Sequence, residues 1–312
     1  MKIFDAHCDV LSKLLENPGL DFIRQTEGLD VTLERMREAE IGVQTFAIYL
    51  PERYPEEFRY VLESVDVFRR RVLTHPALLE IRSNQDLRTA EAEGRIGAIL
   101  SLEGVGALQG NPAYMRILFD LGVRCVGFTW NYANWAADGV LEPRKSGFTV
   151  KGLDLIRECN ELGLLLDVSH LSEKGFWELA ERAAKPVHAS HANAAAVSPR
   201  QRNLNDEQMK AIIQTGGVIG LAFVPPFLHP DGTASIEDLL PHLDHICSLG
   251  GSRHVGFGSD FDGIKEKVSG LEHAGHYPRV IETLLKFYSE EDVRHFAYGN
   301  WSRYFHSHLP EA

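Results

Sequence analysis

The sequence predicts a (β/α)8 TIM barrel of the α/β class, on three observations. Short apolar, β-branched runs alternate with amphipathic helical stretches, as parallel strands joined by crossover helices do. Eight such runs can be counted, the number that closes a barrel. Most of them end in histidine or carboxylate residues, at the strand ends where a parallel barrel gathers its functional groups. The chain has 312 residues, against the ~250 typical of one barrel, which leaves room for a few additional helices. No repeat, low-complexity tract or Gly/Ser linker divides it, so residues 1–312 are expected to form one domain.

In chain order the expected strands are 3–7, 43–48, 96–102, 123–129, 164–169, 187–190, 218–222 and 255–258, each rich in Val, Ile, Leu or Phe. The expected helices are 29–39, 58–73, 114–121, 152–162, 174–184, 206–214 and 236–248. Additional helices are expected in the long second connection and after the eighth strand. An open doubly wound sheet would also alternate strands with helices. No Gly-x-Gly-x-x-Gly follows the first strand, however, which argues against its dinucleotide-binding form.

Composition narrows the function. Hydrophobic residues make up 44% and charged residues 24%, the proportions of a globular protein. Lys and Arg number 32 against 44 Asp and Glu, a formal net charge of -12, which disfavours nucleic acid and anionic membrane as partners. The first residues, Met1 to His7, carry charge where a signal peptide needs an apolar run, and no stretch of ~18 apolar residues is present. The four cysteines are far apart and form no Cys-x-x-Cys pair. The expectation is a cytoplasmic protein.

The strand ends carry the chemistry. They read Asp5-Ala6-His7-Cys8-Asp9, Ser101-Leu102-Glu103-Gly104, Asp167-Val168-Ser169-His170, Ala189-Ser190-His191 and Gly258-Ser259-Asp260-Phe261-Asp262. His7 and Asp9 are two residues apart, so on an extended backbone they project to one side while Cys8 faces the other. Imidazole and carboxylate donors without thiolate suit Zn²⁺, with Mn²⁺ or Co²⁺ as substitutes. His7, Asp9, Glu103, His170, His191 and Asp260 exceed what one tetrahedral ion needs. Two ions about 3.5–4 Å apart are inferred, bridged by a carboxylate and by a water of lowered pKa. Taken singly, each residue has an ordinary explanation, as a cap, a salt bridge or a core histidine. Five coincidences at one rim are a weaker account than one metal centre, and the barrel is therefore expected to be of the metal-dependent hydrolase type.

Other residues carry less. His242 and His245, three apart on an expected crossover helix, read as structural, and His188 is expected to face away from His191. His306 and His308 are expected to fray in solvent. Cys8 reads as a packed thiol. The aromatic group Trp130, Tyr132 and Trp135 after the fourth strand either lines a substrate pocket or plugs the barrel mouth.

Taken together, these segments resemble the renal or membrane dipeptidase family, zinc peptidases of the amidohydrolase superfamily. Arg202-Asn203, His242-Leu243-Asp244-His245 and Val255 to Gly263 add to the likeness, which runs from about residue 3 to about residue 304. The resemblance implies that His7 and Asp9 bind one zinc, His170 and His191 the other, and Glu103 both. It places Asp260 beside the first zinc, as the group that handles the proton of the bridging water. It gives Arg202 the substrate's terminal carboxylate, a role suited to a bidentate guanidinium. The chain departs from the vertebrate members at Trp130, where a histidine contacts the reacting carbonyl group, and at Phe227, where a tyrosine lines the pocket. An indole N–H donates one hydrogen bond but carries no proton, so that role is weakened, absent, or moved to Asn131. The animal enzymes' secretion signal and lipid-anchor tail have no counterpart, which implies a bacterial-type member.

The resulting expectation is a binuclear zinc dipeptidase in which a metal-bridging hydroxide attacks the peptide carbonyl. Its substrates would include dipeptides with a D-residue at the C-terminal position, and a homodimer is the default assembly. The alternatives are a superfamily hydrolase of other specificity, such as a lactonase or N-acyl-amino-acid hydrolase, and, more remotely, a non-catalytic barrel that binds metal or a small ligand.

Overall fold

A computed structural model describes residues 1–24 and 27–312. Its sheet contains eight parallel strands: β1 Ile3–Cys8, β2 Ile41–Tyr49, β3 Leu78–Glu80, β4 Ile96–Glu103, β5 Val123–Gly127, β6 Leu165–Asp167, β7 Ile219–Leu221 and β8 Val255–Phe257. The pairing order is β6-β5-β4-β2-β1-β8-β7, with β3 alongside the start of β4. The two ends of this curled sheet meet through residues 187–190. There Asp167 pairs with His188 and Ala189 pairs with Ile219, both in parallel. The ring of backbone hydrogen bonds is thus complete, and the barrel predicted from the sequence is present.

Two corrections concern the strands. Residues 187–190, expected to form a strand, make only these single-residue pairings, because neighbouring β6 and β7 are each three residues long. β3 was not expected. It lies inside the long second connection and pairs Leu78, Leu79 and Glu80 with Ile96, Gly97 and Ala98 of β4, leaving the later part of that edge to β5.

Helices cover the outside. Those at Phe58–Val67, Pro112–Asp120, Val150–Leu162, Glu173–Arg182, Asp206–Thr215 and Leu239–Ser248 lie where helical periodicity places them. Four of the six begin at a side-chain cap, from Asn111, Thr149, Ser172 and Asn205. Asn205 and Gln208, for example, bond each other's backbone N–H in a reciprocal box that seats the helix beginning at Asp206. Asn84–Glu93 is the additional helix of the second connection, and Tyr277–Leu284, Glu290–Arg294 and Asn300–His308 follow β8. Among the described residues, no helix is long and apolar enough to cross a membrane.

The last helix packs where the strands begin. Trp301, Tyr304 and Phe305 are buried with Phe4, Val43, Ile99, Cys125, Leu165 and Val218, which come from six different segments of the barrel. Burial of such side chains contributes roughly 1.5–3 kcal/mol each, so this plug is a major part of the core. It also accounts for two histidines read differently from the sequence. His306 does not fray: Nδ1 lies 2.6 Å from Asn84 Oδ1 and Nε2 3.0 Å from Glu91 Oε2. His308 packs its ring 5.0 Å from that of Tyr304, and its carbonyl accepts from Lys185 Nζ at 2.7 Å. His188 turns inward rather than away, with Nδ1 3.1 Å from the Tyr304 hydroxyl. It lies among Asp167, Ser190 and Phe305 and is not one of the expected ligands.

His242 and His245 are structural, as expected. His242 accepts from Ala194 N at 3.0 Å through Nδ1 and reaches the Leu228 carbonyl at 2.9 Å through Nε2, while His245 pairs with Asp206. Cys8, Cys125 and Cys159 are buried, and burial pushes all three thiols up from their ordinary values. Cys247 is half-buried, and its thiol is pushed up to about 11. Because the thiolate is the reactive form, the folded protein is predicted to take at most one label, on Cys247, from a thiol reagent near neutral pH. Unfolded chains should take four. Mass spectrometry of the labelled protein checks this, and labelling of Cys8 in the folded state would contradict the packing described.

Candidate active site

The barrel mouth is built from the ends of β1, β4 and β8 and the segments after β6 and around residue 190. β1 ends at Cys8, and its flanking residues His7 and Asp9 are almost fully buried. Asp9 N donates to Phe261 O at 2.8 Å and Asp260 N to His7 O at 3.2 Å. The segment carrying His7 and Asp9 is therefore laced to the one carrying Asp260. Below them, Asp5 receives His7 N at 3.2 Å, Ser259 N at 2.9 Å and the Ser259 hydroxyl at 2.6 Å. A second lacing lies behind. Asp262 receives the N–H groups of Asp30 and Val31 at 2.8 and 2.9 Å, returns its own N–H to Asp30 at 2.8 Å, and pairs with Lys13 at 2.9 Å.

Backbone strain concentrates at this rim. His170, Asp260 and Asp262 have φ of 64°, 63° and 69°, the left-handed region that costs an L-residue about 1–2 kcal/mol. Each is followed or flanked by side-chain hydrogen bonds that hold it there. Gly263, just beyond, approaches the cluster so closely that a Cβ would collide with Asp9 Oδ2 and Asp260 Oδ1.

Glu103, at the end of β4, divides its two oxygens. Oε2 lies 3.4 Å from His7 Nε2, and Oε1 lies 2.9 Å from His170 Nε2 and 3.6 Å from His191 Nε2. His7 Nε2 is 3.4 Å from Asp9 Oδ2, and the Nε2 atoms of His170 and His191 are 2.9 Å apart. Three triads have ligand atoms within 4.8 Å of one another: His7-Asp9-Glu103, Glu103-His170-His191 and His7-His191-Asp260. Among the described residues, His7 Nε2 and Asp9 Oδ1, both buried, have no hydrogen-bond partner. Buried polar atoms left unpaired cost free energy, and a cation between them removes that cost. The donor set of three imidazoles and three carboxylates fits a divalent metal.

The electrostatics of His170 and His191 agree with this, whereas burial acts to lower His7 but Glu103 and Asp9 raise it and hold it charged until a cation takes the proton's place. Burial, with Arg202 nearby, lowers His170 to about 4, and burial together with the neighbouring His7 and Arg202 holds His191 well below its ordinary value. Both rings are thereby kept neutral, the form that coordinates metal. Burial acts to raise Glu103, but the charge of His7 and the close contact of His170 hold it well below the usual range. Burial and the adjacent Asp9 push Asp260 well above that range.

The protein matches the model of the membrane dipeptidase family, peptidase family M19, over residues 1–308. The chain belongs to this family. A metallopeptidase from Rhodobacter sphaeroides, solved with a phosphinate mimic of the dipeptide L-Ala-D-Ala, is similar at TM-score 0.92 and 28% identity, covering 99% of each chain. The solved structure of dipeptidase AC, also of family M19, matches with the same TM-score and identity over 100% of this chain and 99% of its own. An uncharacterized dipeptidase of Schizosaccharomyces pombe is 32% identical, over 91% of this chain and 74% of its own. The protein is thus an M19 dipeptidase, a metal-dependent hydrolase of peptide bonds.

All six expected metal-ligating residues of this dipeptidase meet at the barrel mouth. A cavity of about 300 Å³ opens over them, lined by Asp9, Glu103, His170 and Asp260 with Tyr49, Trp130 and Phe227. Trp130 therefore lines the cleft, its ring 5.5 Å from that of Tyr49. Trp135 instead packs, half-buried, against the edge of the core, donating to Val105 O at 2.7 Å. Asn131 also lines the cleft, but its Oδ1 lies 2.9 Å from His170 Nδ1, so part of its hydrogen-bonding capacity is spent on that ring. Arg202 is buried beside the adjoining cavity that shares His170. It donates to His191 O at 2.9 Å and faces the Phe227 ring at 5.9 Å, and among the described residues its Nε has no partner.

Sequence reasoning assigns no role to Asp5, Asp30, Gly263 or Ser259, all of which support the rim. Asp5 and Asp262 stand within the strand-end segments themselves, which is a signal of sorts. Their partners lie more than 200 residues away in sequence, and nothing local reveals them. Gly263→Ala is predicted to displace Asp9 and Asp260 and to weaken metal uptake by about tenfold or more, ~1.4 kcal/mol. Titration of the metal-free variant with Zn²⁺ measures this; unchanged affinity would show that the loop yields to the methyl group.

Proposed function

We propose that the dipeptidase is a binuclear zinc enzyme built on one barrel domain spanning residues 1–312, and that it cleaves dipeptides with either an L- or a D-residue at the C-terminal position. The observation that carries the two-ion reading is Glu103, whose oxygens face His7 on one side and His170 with His191 on the other. His7 and Asp9 would hold one ion, His170 and His191 the second, and Glu103 both, with Asp260 beside the first. Mn²⁺ or Co²⁺ could replace zinc in such a donor set. Bound there, the ions would supply Lewis acidity toward the peptide carbonyl and an acidified water. The four unpaired thiols suit a reducing compartment such as the cytoplasm.

The chain's own residues supply the rest. Arg202 has an unpaired buried donor and sits across His170 from the cleft, which suits it to the substrate's free carboxylate. Asp260, in the cleft beside His7 and His191, would stand within reach of the reacting groups, placed to take a proton and give it to the departing amine. Trp130 and Phe227 wall the cleft. The likeness to the Rhodobacter sphaeroides structure bearing the L-Ala-D-Ala mimic supports acceptance of a D-residue. Trp130 also favours a second reading, hydrolysis of an N-acylated amino acid, because an indole wall suits an acyl group as well as an amino-acid side chain.

Zinc-loaded protein is predicted to release amino acids from L-Ala-L-Ala and L-Ala-D-Ala, and a chelator should abolish both activities. Absence of cleavage of either, with metal bound, would overturn the dipeptidase substrate assignment and favour the acylated substrates. Asp260→Asn should lose turnover by a factor of about 10² or more while retaining its metal, measured by elemental analysis beside the assay. Arg202→Met should raise KM for dipeptides by about tenfold or more, with less effect on kcat. An unchanged KM would remove Arg202 from substrate binding.

A further inference from the structure

Behind His191 lies a buried chain of groups that the reaction does not use directly. Ser190 Oγ is 2.7 Å from His191 Nδ1 and also hydrogen-bonds Asp167 Oδ2. Asp167 Oδ1 receives two backbone N–H groups, from Ser169 and Ser190, both at 2.9 Å. All three side chains are at least nine-tenths buried.

The hydrogens on this chain can be counted. Ser190 has one hydroxyl proton to give and lone pairs with which to accept. Asp167, at the end of β6, is an acceptor on both oxygens, so the Ser190 proton goes to Asp167. Ser169 Oγ, 3.3 Å from Ser190 Oγ, directs its own proton toward the His191 carbonyl at 3.4 Å. The short contact between Ser190 Oγ and His191 Nδ1 then requires Nδ1 to be the donor. A neutral imidazole has a single N–H. His191 Nε2 is left with its lone pair, pointed at Glu103 Oε1 and His170 Nε2.

We infer that Asp167 and Ser190 are positioning residues that hold His191 in the one tautomer able to ligate through Nε2. The arrangement is a carboxylate acting on a ligand histidine through an intervening hydroxyl, so that the rotamer of a serine controls a metal ligand. Direct carboxylate–histidine pairing is a common way to orient such a ring. Here the carboxylate is one residue further out, anchored to the backbone between β6 and residues 188–190. The inference rests on the two-ion reading above, in which His191 holds one ion and not the other.

Metal-free wild type, Ser190→Ala, Ser190→Thr and Asp167→Asn are each titrated with Zn²⁺ against a chromophoric chelator, and their thermal midpoints are recorded without metal. In Ser190→Ala one of two classes of ion is expected to weaken 10–100-fold, with the other changed by less than about threefold. Ser190→Thr, which keeps a hydroxyl, should restore the weakened class. Asp167→Asn, in which the amide can turn a donor toward Ser190, should weaken the same class. Both classes unchanged in Ser190→Ala would overturn the inference. So would equal loss of both with a lowered metal-free midpoint, the mark of a merely structural role. If wild type itself binds a single ion, the two-ion reading fails, and the affinity of Ser190→Ala for that ion still decides the role of Ser190.

Discussion

The organising constraint of this protein is the burial of the Glu103 carboxylate among three imidazoles and two further carboxylates. Six ionisable side chains in one barrel mouth cannot all keep their ordinary charge states away from water. Glu103 remains ionised only because its two oxygens are divided between His7 and the His170–His191 pair. Its position follows from register: Glu103 ends β4, paired with Tyr49 of β2 and Gly127 of β5, so three strands terminate at one level around it. The extended pairing of β2 with β4, seven residues from Val43–Gly97 to Tyr49–Glu103, makes that level rigid.

Around this group the fold accepts local strain in return for convergence. His170 and Asp260 reach the centre only through left-handed backbone, and each is held by contacts with distant segments. The reciprocal bonds of Asp30 and Asp262, backed by Lys13, secure the loop carrying Asp260 from outside, while Asp5 and Ser259 secure it from below. Buried carboxylates with several donors each are worth more than surface ion pairs, because solvent does not compete for them. Asp5, Asp167 and Asp262 thus act as stakes at the three places where the mouth would otherwise open.

Much of this was legible in the sequence, for a physical reason. Strand periodicity marks which residues share a face, and a parallel barrel sends every strand end to one rim. His7, Asp9, Glu103, His170, His191 and Asp260 could therefore be assembled without coordinates. The supporting residues could not. Ser259 meets Asp5 across 254 positions, and no local pattern records that distance. The strand expected at 187–190 has the right apolar character, but a ladder needs partners as long as itself, and β6 and β7 are short. The terminal histidines were misread because a charged, aromatic tail looks solvent-exposed until the floor of the barrel is seen to need Trp301 and Phe305.

That floor has a consequence for how the chain comes into being. Phe4, in the first strand of the barrel, stacks on Phe305, in a helix that follows its last strand, with ring centroids 5.0 Å apart. β1 also takes its inner neighbour, β8, from the far end of the sequence. The apolar side of β1 therefore stays uncovered until β8 and the helix that carries Phe305 are in place. Such late closure of distant contacts is slow and exposed to aggregation. The barrel becomes a single cooperative object only when these distant segments meet, and His7 and Asp9, at the end of β1, find their places only then.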